Sequence, residues 1–460
     1  MNAKTYQQRR TELREAVPGG AILFLGAEEA PRNYPANPYP FRQDSHFLYY
    51  AGTALPGLAL LIEPDGTTTL FGPPEDPDDL VWHGPHPVLA DHAAAAGVER
   101  TAEIGDLARK VRALRDASKR VRYLPPYRGE AKLALGALLD VHPAEVGAGA
   151  CPELAEAVVR QRSIKSDAEV AEIERALEIS KEMYAAAMER IRPGATEAQV
   201  VGAMQGVALS HDAPQSFLPI CSVRGDVLHN NSYVNTLEAG QLLLIDSGVE
   251  VPPHYYASDI TRTFPVSGRF DDRQRAVYQT VLDAQLAAID AASPAVSNRD
   301  IHLVAARTIA AGLGEIGLMK GDPEEAVAAG AHALFFPHGL GHMLGGDVHD
   351  MEDLGDVVGY PKGEPRSKQF GLAFLRLAKR LEPGFVITVE PGIYFVPALI
   401  DRWAAEKKHE RFIDYALVRE YVGFGGVRIE DDVLITEGGC RVLGPGIPKA
   451  ADEIEAALAG

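Results

Sequence analysis

Apolar residues along this chain recur with two periods, and the period changes where capping and turn residues stand. Short apolar runs predict strands at 21–25, 58–62 and 67–71. Pro64-Asp65-Gly66 separates the last two; proline presets φ and glycine supplies a positive one, so a hairpin is predicted. Ahead of it, Phe41-Arg42-Gln43-Asp44-Ser45-His46-Phe47-Leu48-Tyr49-Tyr50 mixes aromatic and charged residues. The stretch reads equally as a cleft wall or as an aromatic core strand with a surface ion pair. Trp82-His83-Gly84 offers a similar choice between capping a ligand and filling a core. Residues 93–139 alternate helical and strand-like pieces, so the first region is predicted to be one α/β domain.

A helical period follows. Ser166 and Glu169 form a capping box ahead of Val170, Ile173, Leu177, Tyr184, Met188 and Ile191, and Pro193-Gly194 ends that helix. Thr196 and Gln199 cap the next. The domain boundary is placed near Gln161, giving domains 1–160 and 161–460. After His211 the pattern turns strand-like: 220–223, then Leu228-His229-Asn230-Asn231, then a buried run 241–245 that ends in Asp246. Tyr255-Tyr256-Ala257-Ser258 follows and ends in Asp259. Helices are predicted over 271–292, with Val277, Val281, Leu282, Leu286 and Ile289 on one side, and over 298–316. Residues 427–435 read as a further strand whose alternation puts Arg428 and Glu430 on one face.

A carboxylate directly after an apolar run is predicted to be buried, and desolvating it demands an arginine, a proton or a metal ion as partner. The pattern occurs twice. Glu238-Ala-Gly-Gln-Leu-Leu-Leu-Ile-Asp246-Ser-Gly248 matches Glu382-Pro-Gly-Phe-Val-Ile-Thr-Val-Glu390-Pro-Gly392, which suggests two related halves that each deliver acid to a shared centre. Between them His338, His342 and His349 fall within twelve residues that also hold four glycines, and glycine lets backbone approach a ligand closely. Asp246, Asp259, Glu390 and Glu430 carry −4 together, enough to balance two divalent cations. With His342 as a nitrogen donor, this mostly hard-oxygen set suits manganese, iron or cobalt, with zinc also admissible. Two bridged metals activate water and polarise a carbonyl, the logic of amide hydrolysis at neutral pH.

Composition narrows the partners. The 460 residues, 46% apolar and 24% charged, are ordinary for a globular chain. Lys+Arg 45 against Asp+Glu 64 leaves −19, which argues against nucleic acid and anionic membrane. Cys151, Cys221 and Cys440 lie far apart with no zinc spacing or disulfide framework, so a reducing compartment is expected. The polar start has no apolar signal core and no run is long enough to span a bilayer, so a cytoplasmic location is expected.

Taken together, Leu244-Ile-Asp-Ser-Gly248, Ala257-Ser-Asp-Ile-Thr-Arg-Thr-Phe-Pro265, His338-Gly-Leu-Gly-His342, Asp347-Val-His-Asp350, Thr388-Val-Glu-Pro-Gly392 and Val427-Arg-Ile-Glu-Asp431 resemble the pita-bread metallopeptidases of the aminopeptidase P and prolidase group. Phe41-Arg-Gln-Asp-Ser45 resembles the N-terminal domain of the same group, and the resemblance covers nearly the whole chain. It implies an α/β (α+β) protein: a small mixed-sheet N-terminal domain, then a pseudo-symmetric, curved antiparallel sheet backed by helices with the metals in its concave face. It implies two divalent ions, manganese first, held by Asp246, Asp259, His342, Glu390 and Glu430, with Asp259 and Glu430 bridging. His229 and His349 match residues that hold substrate and stabilise the tetrahedral intermediate, and Glu390 matches the proton shuttle. His338 and Arg428 match a pocket histidine and an arginine behind the ligands; with Arg376 they are the substrate-binding candidates.

The implied activity is exopeptidase cleavage before proline in small peptides, by a homodimer or homotetramer whose N-terminal domain helps close the neighbour's cleft. Two features depart from the pattern. Asp246 and Asp259 are 13 apart, slightly more than expected, with Pro252-Pro253 lengthening the hairpin tip. The insertion 351–380 resembles prolidases, and Arg376 lies near the position of an arginine that binds a dipeptide's free carboxylate. The alternative for Arg376 is a solvated place in a basic helical run, Leu375-Arg-Leu-Ala-Lys-Arg380. A non-catalytic peptide-binding protein on the same scaffold would be expected to lose ligands, and this chain keeps all five. A methionine aminopeptidase-like enzyme fits less well with the N-terminal domain and the His338 motif, and an amidinohydrolase of this fold should lack the ligand set.

Overall fold

The Pro64-Asp65-Gly66 turn forms as its residue types require. Gly66 takes φ +95, and its N–H donates to the Glu63 carbonyl at 2.9 Å. In the computed structural model, which describes residues 1–459 apart from Glu75, Pro77, His83 and the Asp79 side chain, that turn joins two strands of a five-stranded sheet. The strands are β1 (Gly20–Leu25), β2 (Ala59–Ile62), β3 (Thr68–Gly72), β4 (Arg100–Glu103) and β5 (Arg120–Arg122). Their order is β4-β3-β2-β1-β5. β2 pairs antiparallel with both β1 and β3, while β4 and β5 join the edges parallel, so the sheet is mixed as expected. Ala21, Leu23, Leu61 and Phe71 pack on Leu107, Val111, Leu114 and Leu135, which lie on the helices Leu107–Asp116 and Gly129–Leu139.

The aromatic stretch before β2 is helix Ser45–Ala51, which overturns the strand alternative. Asp44 is its N-cap, accepting the Phe47 N–H at 2.9 Å. Phe47 and Tyr50 are fully buried, and Tyr50 stacks on Phe24 with centroids 4.7 Å apart. Trp82 ends a short helix with 78% of its surface exposed, and His83 of the same motif lies outside the described residues. By packing, the chain divides into residues 1–162 with 351–357, and residues 163–350 with 358–460.

In the second unit the capping residues set the long helices. Glu169 Oε2 accepts the Ser166 N–H at 2.9 Å where Asp167–Met188 begins, and Thr196 caps Glu197–Ser210. Asp272–Ala291 and Asn298–Glu315 follow. Leu286, expected on a buried side, is exposed. The strands are β6 (Ile220–Ser222), β7 (Leu242–Ser247), β8 (Glu250–Val251), β9 (Tyr256–Ala257), β10 (Ile260–Pro265), β11 (Val386–Val389), β12 (Gly392–Tyr394), β13 (Gly426–Arg428), β14 (Asp431–Thr436) and β15 (Gly439–Val442). They form ladders β10-β7-β6 and β11-β14-β15, plus the pairs β12-β13 and β8-β9, all antiparallel.

The two halves match. β7 and β11 are the repeated strands, and the repeat's third residue, Gly240 or Gly384, holds φ +85 or +91 ahead of each. The bridge between Thr261 and Glu430 links the first half to the second. The predicted strand 427–435 is in fact two. β13 pairs with β12 and β14 with β11, so the chain changes partner at Ile429-Glu430 and leaves Glu430 at the junction. Residues 375–380 are not helical, so the basic helical run proposed for Arg376 does not form. No described helix is long and apolar enough to cross a membrane.

Candidate metal centre

Each acid arrives at the end of a strand. Asp246 stands in β7 opposite Thr261 of β10, and Asp259 immediately precedes β10. Glu390 follows β11, where its N–H donates to the Leu340 carbonyl at 2.8 Å. His342 is held to β11 from both sides. The Thr388 N–H donates to its carbonyl at 3.0 Å, and its own N–H donates to Thr388 Oγ1 at 3.1 Å.

These side chains converge. A nitrogen of His342 and carboxylate oxygens of Asp259 and Glu430 all lie within 4.8 Å of one another. His342 Nε2 is 3.4 Å from Asp259 Oδ2 and 3.9 Å from Glu390 Oε1. His342 Nδ1 lies 3.0 Å from the Met343 carbonyl, which can only accept, so Nδ1 carries the proton and Nε2 presents a lone pair to the carboxylates. A lone pair facing carboxylate oxygens at that distance is repulsive unless a proton or a metal cation lies between them. Asp246 Oδ1 and Asp259 Oδ1 are buried without a hydrogen-bond partner among the described residues. The acids repel one another as well. Burial raises the Asp259 carboxyl far above its ordinary range, with Glu430 and Asp246 adding to it. Burial does the same to Glu430, with Glu390 and Asp246 adding. Glu390 is pushed up by burial to about 8, against the pull of Arg428. Orphaned oxygens, an unprotonated imidazole nitrogen and crowded acids make a donor set that fits divalent cations.

Arg428 buttresses the set from behind. Its Nη2 donates to Asp246 Oδ2 at 2.6 Å, Nε to Thr261 Oγ1 at 3.2 Å and Nη1 to the Tyr394 hydroxyl at 2.8 Å. Thr261 Oγ1 donates in turn to Glu430 Oε2 at 2.7 Å, so Arg428 and Glu430 share a face as their spacing predicts. The Tyr394 hydroxyl lies 2.8 Å from His338 Nε2, and His338 Nδ1 lies 2.7 Å from the Gly339 carbonyl. With Arg428 donating to Tyr394, the chain of donors runs Arg428, Tyr394, His338, Gly339, and both His338 nitrogens are engaged. Burial, then the Arg428 charge, pushes the His338 imidazole down to about 3.

The five candidate ligands, with His338 and Arg428, line a cavity of about 780 Å³, lined also by His229, His349, Arg376, Phe370, Phe374 and Leu218. Every sequence-predicted site residue therefore reaches one cavity. Leu218 and Phe374 are exposed, which gives the cavity an apolar rim.

Residues 171–437 match the model of metallopeptidase family M24, and residues 6–123 match that of the aminopeptidase P N-terminal domain. The chain belongs to metallopeptidase family M24. A Homo sapiens protein described as Xaa-Pro dipeptidase is 32% identical over 97% of the chain and 90% of its own length. A probable Xaa-Pro aminopeptidase of Leptosphaeria maculans is 33% identical over 91% of the chain and 72% of its own length. The solved Pseudomonas aeruginosa aminopeptidase PepP superposes with a TM-score of 0.82 at 31% identity, covering 100% of this chain and 98% of that one.

As an M24 enzyme the chain is expected to work with divalent metal ions, in keeping with the donor set above. Tyr394 is the residue that sequence reasoning missed. The available signal was Gly392, where a Cβ would run into the Tyr394 hydroxyl, so that position is kept bare for it. Phe370 and Phe374 were missed because nothing in the 351–380 insertion repeats with a structural period.

Proposed function

We propose that this M24 enzyme is a metal-dependent exopeptidase that hydrolyses the bond between an N-terminal residue and a following proline, with Xaa-Pro dipeptides as its preferred class. The observation that carries this reading is the convergence of Asp246, Asp259, His342, Glu390 and Glu430 on the cavity that also holds His229, His349 and Arg376. The five donors would hold two divalent ions, with manganese as the first metal to test. When bound, the ions supply Lewis-acid polarisation of the scissile carbonyl and lower the pKa of the attacking water.

The chain's own residues do the rest. Arg428 fixes one Asp246 oxygen, and the other is buried without a hydrogen-bond partner among the described residues. Glu390, with 19% of its side chain exposed, moves a proton from the attacking water to the leaving imide nitrogen. The His229 imidazole is held below its ordinary pKa by burial and then by Arg428. It is therefore neutral at pH 7 and donates an N–H to the oxygen on which charge develops. His349 closes the same wall, its ring centroid 4.1 Å from that of His342. His338 offers substrate only its ring, since its nitrogens are taken. Arg376 gives the cavity a cation that would pair with a dipeptide's free carboxylate, and Phe370 and Phe374 supply apolar surface for the pyrrolidine ring.

Three free cysteines support a reducing, cytoplasmic setting. Exposed Leu80, Val81 and Trp82 support assembly into a homodimer or homotetramer, which sedimentation in solution would test. The deciding experiment compares hydrolysis of Xaa-Pro with Xaa-Pro-Yaa after loading with Mn2+. Turnover abolished by chelation and faster on the dipeptide is expected. A metal-loaded protein that binds such peptides without cleaving them would instead make it a binding protein on this scaffold.

A further inference from the structure

The loop from His342 to Asp350 connects two of the cavity's imidazoles. Its closure uses a pair of charges that the chemistry above leaves idle. Lys165 Nζ donates to Asp350 Oδ2 at 2.9 Å, and each side chain is only 1% exposed. Lys165 is anchored in turn. Its N–H donates to the Gly384 carbonyl at 2.8 Å, just before β11, and Ser166 beside it caps the long helix. Asp350 is equally tied. Its N–H donates to the Met343 carbonyl at 2.9 Å, and its Oδ1 accepts the Asp347 N–H at 3.3 Å. The turn is wrapped around the pair, for a Cβ on Gly345 would lie 2.5 Å from Asp350 Oδ2 and 2.9 Å from Lys165 Cε.

A buried ammonium and carboxylate both surrender hydration, and replacing such a pair by apolar residues often leaves stability unchanged or improved. Stability is therefore a weak reason for this pair. What apolar residues cannot supply is direction: one N–H···O contact that sets Asp350, and through the backbone the residue before it, His349. We propose that the Lys165–Asp350 ion pair is a positioning device that holds the His349 imidazole against the metal cavity. Neither residue touches substrate. The proposal rests on the function above in one respect, that His349 faces the reacting peptide.

The test uses Lys165→Met, and Lys165→Met combined with Asp350→Leu, in the full-length metal-loaded protein. Each is also made in a His349→Ala background. The doubly apolar variant keeps the design testable if the single one, with its orphaned carboxylate, does not fold. The doubly apolar variant is expected to keep wild-type circular dichroism and Mn2+ binding. Its kcat on Xaa-Pro should fall about 10- to 100-fold, with KM changed less than about threefold. In the His349→Ala background the same substitutions should cost nothing further. Hydrogen exchange at the Asp347 and Asp350 amides should accelerate while the helix Asp272–Ala291 stays protected. Undiminished kcat, equal losses in both backgrounds, or unchanged exchange at those amides would each overturn the proposal. If the wild type cleaves no Xaa-Pro substrate, the function reading fails, and the exchange rates alone decide the positioning claim.

Discussion

Glu390→Gln should stabilise this protein when its metals are stripped away. The Glu390 carboxyl, raised from 4.5 to about 8, is held there first by burial and then by Asp246, with Arg428 opposing. In the unfolded chain the same group ionises at its ordinary value. The sign follows from linkage. A folded pKa above the unfolded one gives stability that is complete below about pH 4.5 and is lost as pH rises toward about 8. Each unit of pH in that window costs the folded state about 1.4 kcal/mol, so the loss at about pH 7.5 reaches ~4 kcal/mol. One fifth of the side chain faces the cavity, where water screens the charge, and we discount the figure to about 2–3 kcal/mol. Glutamine keeps the shape and removes the charge. Urea unfolding in excess chelator should therefore show the variant more stable by that amount at about pH 7.5, with the gap closing toward about pH 5. Reloaded with Mn2+, the order should reverse, because a donor has been lost and proton transfer with it. A chelated wild type equally stable from about pH 5 to pH 8, or a variant no more stable than wild type, would refute the reasoning.

Three further outcomes are expected. Arg376→Ala should raise KM for Xaa-Pro about 10- to 100-fold, the loss of one charge-assisted contact, and leave Xaa-Pro-Yaa nearly unchanged; equal effects on both would remove the carboxylate clamp. Arg428→Met orphans Asp246 Oδ2 from its 2.6 Å partner in a site where the arginine is only 3% exposed. Calorimetric titration should show weaker metal binding, and the fold should lose about 3 kcal/mol. His302 and His332 are fully buried, with no partner for any ring nitrogen among the described residues. Burial holds His302 well below 6.5, with His332 and then His338 adding to it, and holds His332 at about 4, with His409 adding to it. Their contribution is present above about pH 6.5 and lost as pH falls toward the folded values, so the melting advantage of His302→Phe over wild type should widen from about pH 8 to pH 5. A constant gap would mean that packing alone separates the two proteins.

What the sequence showed of this site depended on whether a residue's partner lies close along the chain. A strand that ends in an acid carries its own evidence, because the apolar run announces burial and the acid announces a need. Asp246 and Glu390 were legible in that way, and their duplication exposed the two halves. Capping boxes at Ser166 and Thr196 are likewise complete within four residues, and both helices begin where expected. The helix at Ser45–Ala51 was missed although Asp44 caps it, because no glutamate or glutamine three residues on completes the box and the aromatic residues suggested a strand. The change of partner at Ile429-Glu430 was invisible for a different reason. Alternation continues smoothly through the junction, and what breaks is the identity of the neighbouring strand, which only the other half of the sheet decides. The residues that orient the site are the hardest case. Arg428 meets Asp246 across 182 positions and Lys165 meets Asp350 across 185, and neither pair leaves a period, a cap or a turn to read. Charge gives the one usable warning. An arginine or lysine inside an apolar lead-in, like an acid at a strand end, must have an opposite charge or an acceptor somewhere in the fold. Read that way, Arg428, set between Val427 and Ile429, was an open question in the sequence as much as the carboxylates were, and the structure answers it with the buttress behind Asp246; Lys165 stands in the polar stretch Arg162-Ser-Ile-Lys-Ser166, where no such warning is given.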